Sequence, residues 1–262
     1  MPQPEISIVT VAFRNLDGIK STEQSIPWAA PQGFEWIVVD GASDDGTGAY
    51  LESLTYPNMR IICEPDEGIF DAMNKGIGAA QGRYIIFMNA GDTFFDPATL
   101  PNLLAFTQKS DAVLIYGDSI ERAENGASFA KPARRPRWNI YSMFTHHQAI
   151  LYRRADILDG YDRSYQFSAD WALTSRLLSQ RGAKAEYCAK VICAFERGGV
   201  SQRDDHRQTI NREHWRILRQ ESRLAWPIAA ILYSVKRSSN AMRRLLPAIY
   251  DLLRFGRPGA SS

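Results

Sequence analysis

Short apolar runs that alternate with helix-like stretches restrict most strongly what this chain can fold into. In its first hundred residues, four short runs are predicted to be strands, of which the first is typical of a strand buried on both faces and the second is also predicted to be buried. They cover residues 6–13, 35–39, 60–63 and 84–88. Helices are predicted between them, over residues 16–28, 45–54 and 70–80. This alternation indicates βαβ units, so we predict an α/β fold with a mostly parallel sheet and flanking helices.

The rest of the chain carries weaker signals. Two further strands, an irregular stretch and an amphipathic helix are predicted over residues 112–116, 148–153, 121–138 and 169–180. Beyond Gly199 the sequence reads as helical and basic. We therefore divide the chain into a main domain, residues 1–213, and a basic helical C-terminal extension, residues 214–262.

Composition limits the function classes that are open to the protein. The 262 residues are 45% hydrophobic and 23% charged, a globular profile that excludes a disordered or fibrous chain. The three cysteines form no CxxC pair, which favours a reducing compartment over a disulfide scaffold. The polar N-terminus lacks the apolar segment of a signal peptide, and the sequence carries no nucleic-acid-binding motif. We therefore expect a cytoplasmic protein that binds no nucleic acid.

Carboxylate and amide side chains follow three of the predicted strands. Asp40 ends the second strand, Asp66 follows the third, and Asn89 and Asp92 follow the fourth. The carboxyl ends of parallel strands share one edge of a sheet, where ligands bind in open α/β folds. Two glycine-rich segments lack the spacing and position of a dinucleotide-binding loop. Oxygen ligands without such a loop indicate a divalent cation that holds a diphosphate.

Four motifs in order carry a resemblance to a known family. They are ISIVTV from Ile6, WIVVDGASDDGT from Trp36, DEGIFDAMNKG from Asp66 and IFMNAGD from Ile86. These segments resemble family 2 glycosyltransferases of the Rossmann-like GT-A fold. The most similar branch builds bacterial capsule, colanic-acid and lipopolysaccharide repeat units. The resemblance continues more weakly to residue 213, and it implies a donor-binding half, residues 1–100, and an acceptor-side half, residues 101–213.

This resemblance implies a site for a nucleotide-diphosphate-sugar donor. Asp40 would accept a hydrogen bond from the base, most often uracil, and Asp66 with the helix that follows it would flank the ribose and diphosphate. The residues assigned to donor binding are Thr10, Ala12, Arg14, Asp40, Asp66, Asn74, Asn89, Ala90 and Gly91.

The segment from Asn89 to Asp92 stands in the place of the family's DxD motif and departs from it. An amide replaces the first carboxylate and Gly91 replaces the second. The resemblance therefore leaves Asp92 as the carboxylate that would reach Mg²⁺ or Mn²⁺ on the diphosphate, and Mg²⁺ commonly keeps waters as its other ligands. His206, in a late polar segment, is a second candidate metal ligand.

On the acceptor side, Asp170 matches the family's catalytic base. Inverting transfer needs one carboxylate to take the proton of the acceptor hydroxyl while the anomeric carbon is attacked from the opposite face. Alternatively, Asp170 could cap the helix that follows it. His147, Gln148 and Trp171 are assigned to the acceptor pocket, with a purely structural role as the alternative for His147.

The C-terminal region suggests a second partner. Residues 216–262 hold nine basic and two acidic residues, a net charge of +7, which leaves −5 for the rest because the whole chain carries +2. Residues 224–235 are apolar but fall short of the roughly 20 residues that span a bilayer. An apolar segment beside basic residues indicates an interfacial helix on the inner leaflet of the cytoplasmic membrane. The alternative is a helical hairpin packed on the main domain.

Together these features predict an inverting, metal-assisted glycosyltransferase. It would move a sugar, from a UDP-sugar by preference, to a lipid-linked saccharide acceptor in bacterial surface polysaccharide biosynthesis. The altered DxD motif leaves open a non-catalytic scaffold that binds sugar nucleotides in the same machinery. A nucleotidyltransferase would need a glycine- and basic-rich phosphate loop after the first strand, and the sequence there lacks one.

Overall fold

A computed structural model describes residues 3–29, 33–122, 128–196 and 206–245. The nine described strands form one sheet in the order β3-β2-β1-β4-β8-β6-β9-β5, with β7 paired to β6. The first seven elements alternate as the sequence predicts: β1 (Ile6–Ala12), α1 (Leu16–Ser25), β2 (Phe34–Asp40), α2 (Thr47–Ser53), β3 (Met59–Cys63), α3 (Ile69–Ala79) and β4 (Tyr84–Phe87). Strands β1 to β4 are parallel, so their carboxyl ends meet at one edge of the sheet.

The second half of the sheet corrects the prediction of a mostly parallel arrangement. Its elements are β5 (Thr93–Phe94), α4 (Thr99–Thr107), β6 (Leu114–Arg122), β7 (Ser128–Lys131), β8 (Ile150–Arg153), α5 (Ala169–Leu178) and β9 (Ala185–Glu196). Strand β8 runs antiparallel to both β4 and β6, while β9 runs parallel to β6 and antiparallel to β5. The α/β fold with flanking helices is confirmed, but the sheet is mixed.

Alternating side chains divide the core into two layers because successive residues of a strand point to opposite faces. On β1, Ile6 and Ile8 pack in one cluster with residues of α1, α2 and α4. Val9 and Val11 pack in the other with residues of α3 and α5. Every residue of β1, β2 and β4 is buried, as expected for parallel strands covered on both faces.

The C-terminal region is helical and packs partly on this core. It consists of α6 (Arg207–Arg216), a π-helical segment over Ile217–Glu221, and α7 (Trp226–Leu245). Ile217, Leu218 and Ala229 are buried in the cluster that also contains Val9 and α5 residues. No helix in the described ranges is both long and apolar enough to cross a bilayer. One face of α7 thus contributes Ala229 to the core, which is the kind of packing that the hairpin alternative describes.

Candidate active site

A cleft of about 1320 Å³ lies at the carboxyl edge of the parallel strands. The first turn of α1 forms one wall with Asn15 and Asp17, and the turn from Asn89 to Asp92, which we call the NAGD turn, forms the floor. Residues 142–148 and the start of α5 close the opposite side. The predicted residues that the structure brings together around this cleft are Asn89, Ala90, Gly91, Asp92, His147, Gln148 and Asp170.

The NAGD turn is held in shape by hydrogen bonds to α1. Gly91 has a φ of 104°, a left-handed conformation in which a side chain would be strained. Its N–H donates to the Gly18 carbonyl and to the Thr22 hydroxyl, and that hydroxyl donates in turn to the Asp92 carbonyl at 2.7 Å. Asn15 Nδ2 donates to the Ala90 carbonyl at 3.0 Å. Helix α1 therefore fixes the turn that the donor diphosphate would meet.

Two oxygen donors of this turn suit a hard cation. Asn89 Oδ1 is buried and accepts no hydrogen bond from any described residue. Three residues further on, the Asp92 carboxylate is 8% exposed at the cleft floor. An amide oxygen and a carboxylate are ligands that Mg²⁺ or Mn²⁺ prefers. No three His, Cys, Asp or Glu side chains converge on one point within the described ranges, so substrate oxygens and water would complete any such site.

Asp92 also connects the NAGD turn to the segment over residues 142–148 on the opposite side of the cleft. Its Oδ2 accepts hydrogen bonds from the Asn89 N–H at 3.1 Å and from Gln148 Nε2 at 3.0 Å. The neighbouring His147 is buried, stacks on Phe87 and lies 2.6 Å from the Tyr161 hydroxyl. Burial lowers the pKa of His147 to about 4, so this imidazole is neutral at physiological pH.

Asp170 lies where the cleft meets α5. Ser168 holds the N-cap position of that helix, and the Asp170 carboxylate accepts a hydrogen bond from the backbone N–H of Trp171 at 2.8 Å. Burial raises the pKa of Asp170 to about 6, and the nearby Glu213 adds to the rise. Glu213 is itself buried and accepts from the N–H groups of Gln166 and Phe167. It holds the segment that leads into α5.

Several predicted donor residues lie outside the lining of the cleft and have other contacts. Thr10 is buried and accepts from the Trp36 indole, and the Arg14 guanidinium pairs with Asp44. Asn74 is hydrogen-bonded through both side-chain atoms to the Tyr161 backbone. The buried residue Ala12 contributes its carbonyl to the Gly41 N–H. Their roles in donor binding stay predictions.

Asp40 and Asp66 lie beside each other at the ends of β2 and β3. The Asp40 carboxylate is fully buried and accepts from the Ser43 N–H and hydroxyl, so it orders the loop that follows β2. Asp66 Oδ2 would lie 2.5 Å from any Cβ at position 41, which explains why a glycine follows Asp40. Asp66 Oδ1 accepts from the Gly68 N–H at the start of α3. Neither residue is among those that line the cleft, and their roles in donor binding stay predictions.

Trp171 and His206 are found away from the NAGD turn. The Trp171 ring is buried in the wall of a smaller cavity behind Asp170, and its indole N–H donates to the Asn139 carbonyl. His206 stacks on Phe167 at 4.3 Å between ring centroids. A role for His206 as a metal ligand stays a prediction.

Sequence reasoning missed the residues that position the site. Asn15 precedes α1 and accepts from the Gly18 N–H, a side-chain cap that its place before a helix could have suggested. No local sequence pattern indicated a role in the site for Thr22, Glu213 or Lys131. Lys131 borders the cleft and pairs with Glu121 at 2.5 Å, beside His146.

Comparisons with known proteins agree with this geometry. The family described as glycosyl transferase family 2 matches residues 7–174. The "PGL/p-HBAD biosynthesis glycosyltransferase Rv2957" of Mycobacterium tuberculosis is 28% identical over 257 residues, which cover 94% of this chain and 95% of that protein.

Two solved structures share the fold. Staphylococcus aureus TarS 1–349 in complex with UDP-GlcNAc superposes with a TM-score of 0.68 at 16% identity, covering 96% of this chain and 76% of that one. The mannosyltransferase PcManGT from Pyrobaculum calidifontis, in complex with GDP-Man and Mn²⁺, gives 0.57 at 19% identity, covering 96% and 79%.

Proposed function

This chain belongs to glycosyl transferase family 2, and we propose that it is an inverting hexosyltransferase that uses a nucleotide-diphosphate-sugar, most favourably a UDP-sugar. The acceptor is a lipid-linked or glycan saccharide of bacterial surface polysaccharide biosynthesis. The resemblance of its four motifs to the branch with that role supports this acceptor class. The UDP-GlcNAc bound by a protein of the same fold supports the donor class.

The observation that carries the proposal is the position of Asp170 on the same cleft as the NAGD turn. An acceptor hydroxyl beside Asp170 gives its proton to the carboxylate as its oxygen forms a bond to the anomeric carbon. The bond from that carbon to the diphosphate breaks at the same time, and the nucleoside diphosphate leaves. A base with a pKa near 6 is ionised at neutral pH, as this role requires.

At the donor end, the NAGD turn binds and orients the diphosphate. Asn89 Oδ1 and the Asp92 carboxylate would hold Mg²⁺ or Mn²⁺, because both are oxygen donors of the same turn. Such a cation, when bound, offsets the negative charge that develops on the leaving diphosphate. The Thr22 hydroxyl and the Asn15 amide keep the turn in position through their hydrogen bonds to its backbone.

The proposal is tested by incubating the full chain with UDP-GlcNAc, Mn²⁺ and a lipid-linked saccharide. We expect release of UDP that depends on the protein and rises when the acceptor is present. A β-linked product from this α-linked donor, identified by NMR, would establish inversion. Donor binding with no turnover under any acceptor condition would instead support the non-catalytic scaffold, the alternative favoured by the altered DxD motif.

Attachment to the inner leaflet of the cytoplasmic membrane through α7 is part of the same proposal. Ile228, Ile231 and Val235 lie three and four residues apart on this helix and are 51%, 64% and 51% exposed. Arg237 is exposed on the next turn, and the region carries the net charge of +7 noted above. Apolar insertion and attraction to anionic lipid act together in such helices.

Replacing Ile228, Ile231 and Val235 together by serine is expected to weaken co-sedimentation with anionic vesicles at least about tenfold at low salt. Burying one such side chain fully stabilises by about 1.5–3 kcal/mol, and none of the three belongs to the packed core. The control replaces the exposed Phe95 and Leu158 by serine and should bind like wild type. Equal vesicle binding by the triple variant would contradict the membrane proposal.

A further inference from the structure

We propose that a second, smaller cavity behind Asp170 binds an anionic group of the acceptor, a carboxylate or a phosphate, through Lys236 of α7. The cavity has a volume of about 250 Å³ and is walled by α5, α6 and α7. This inference rests on the proposed function, because it assigns a part of the acceptor to a part of the same site.

Lys236 is held inside this cavity by aromatic rings. Its Nζ lies 4.1 Å from the centroid of the Trp171 ring and 5.9 Å from that of Tyr141. No carboxylate among the described residues forms an ion pair with this ammonium group. Cations shielded from water are normally paired, so an ammonium group that contacts aromatic faces in a cavity and has no ion-pair partner among the described residues is suited to an anion from outside.

The electrostatics of the cavity point the same way. Burial lowers the pKa of Lys236 to about 7, with no opposing contribution from an acidic neighbour. His214 also lines the cavity. Burial, and to a smaller extent the charge of Lys236, lowers the pKa of His214 to about 3. Asp170 also lines the cavity, but its pKa is set by burial, by backbone hydrogen bonds and by Glu213, and not by Lys236. A bound anion would therefore supply the countercharge that Lys236 lacks.

The cavity adjoins the cleft at Asp170. Met143, Phe167 and Asp170 border both spaces. An acceptor that extends from one into the other would place its reacting hydroxyl at Asp170 and its anionic group at Lys236. The Trp171 ring, which contacts the Lys236 ammonium group, forms part of the wall of the small cavity. Lys236 would thus select among acceptors by charge.

Two sources can supply this anion: a carboxylate on the acceptor sugar, or the phosphate that joins the sugar to its lipid. The full chain is titrated calorimetrically with methyl glucuronide, glucose 1-phosphate and the uncharged methyl glucoside. We expect at least one anionic probe to bind at least about tenfold more tightly than methyl glucoside. The tighter of the two anions identifies the source.

Lys236→Met should lower the affinity for that anion at least about tenfold, whereas Lys236→Arg should keep most of it. The matched control is Arg237→Met, which removes the same charge from the exposed neighbouring position and should stay within about twofold of wild type. Lys236→Met should melt no lower than wild type, since it replaces a partly buried cation by an apolar chain of similar length. Lys236→Gln repeats the test. Unchanged anion binding in Lys236→Met and Lys236→Gln, or a wild type that does not favour anions, overturns the proposal.

The same samples are titrated with UDP-GlcNAc and Mn²⁺. Lys236→Met should leave this donor affinity within about twofold of wild type, because the NAGD turn does not border the small cavity. A wild type that binds no nucleotide sugar would contradict the proposed function, while the anion titration would still decide the role of Lys236.

Discussion

Replacing Asp170 by asparagine is expected to lower the rate of sugar transfer by about 10²–10⁴, the usual contribution of a positioned general base, and to leave donor affinity unchanged. The amide keeps the size of the side chain but cannot take a proton. The measurement is single-turnover transfer, with donor affinity determined separately by calorimetry.

The pH profile supplies an independent test of the same residue. The base acts when ionised, so the wild-type rate should rise as the pH passes through about 6 and level off above it, and this step should be absent from Asp170→Asn. Asp111→Asn is the control, because that carboxylate is exposed and lies outside the cleft lining. Normal turnover by Asp170→Asn would exclude Asp170 as the base and redirect the search to Asp118 and Glu196.

Asp92→Asn should remove most of the Mn²⁺-dependent part of donor affinity, a loss of at least about tenfold. A neutral amide is a weaker ligand for a hard cation, yet its oxygen can still accept from the Asn89 N–H and so preserve the turn. Calorimetric titration with UDP-GlcNAc, with Mn²⁺ and then with EDTA, measures the effect.

Asp111→Asn serves as the control for Asp92→Asn, since its carboxylate is exposed and lies outside the cleft lining. Equal melting temperatures of wild type and both variants would show that the fold is intact. An Asp92→Asn protein that keeps the full response to Mn²⁺ would place the cation elsewhere.

The elements from β1 to β4 could be predicted from sequence because their signals are local. Strands β1, β2 and β4 are mostly apolar and buried throughout, while the shorter β3 is only partly buried but still presents the apolar pair Ile61 and Ile62 between two predicted helices. The sequence did not predict strands β5 and β9, for two different reasons. Strand β5 has two residues, too few for a pattern, and β9 interrupts its apolar residues with Glu186 and Lys190.

The site could be predicted only where a residue type stands in a recognisable motif. Asp92 and Asp170 occupy such places, and the structure puts both on one cleft. Other contacts join residues that are 65 or more positions apart in the chain, so no spacing rule predicts them. Examples are the contact of Thr22 with the NAGD turn and that of Lys236 with Trp171. Glu213 likewise accepts hydrogen bonds from the segment before α5 only because α6 packs against that segment.

The hydrogen bond from Gln148 to Asp92 has a consequence for kinetics. A cation that arrives with the donor would compete with Gln148 for the Asp92 carboxylate, which accepts a hydrogen bond from the Gln148 amide. The Gln148 amide would then be released toward the side of the cleft that the acceptor enters, and a hydroxyl there could take the place of Asp92. If Asp92 binds the cation as proposed, arrival of the donor would prepare the acceptor subsite, and the two substrates would bind in a compulsory order with the donor first.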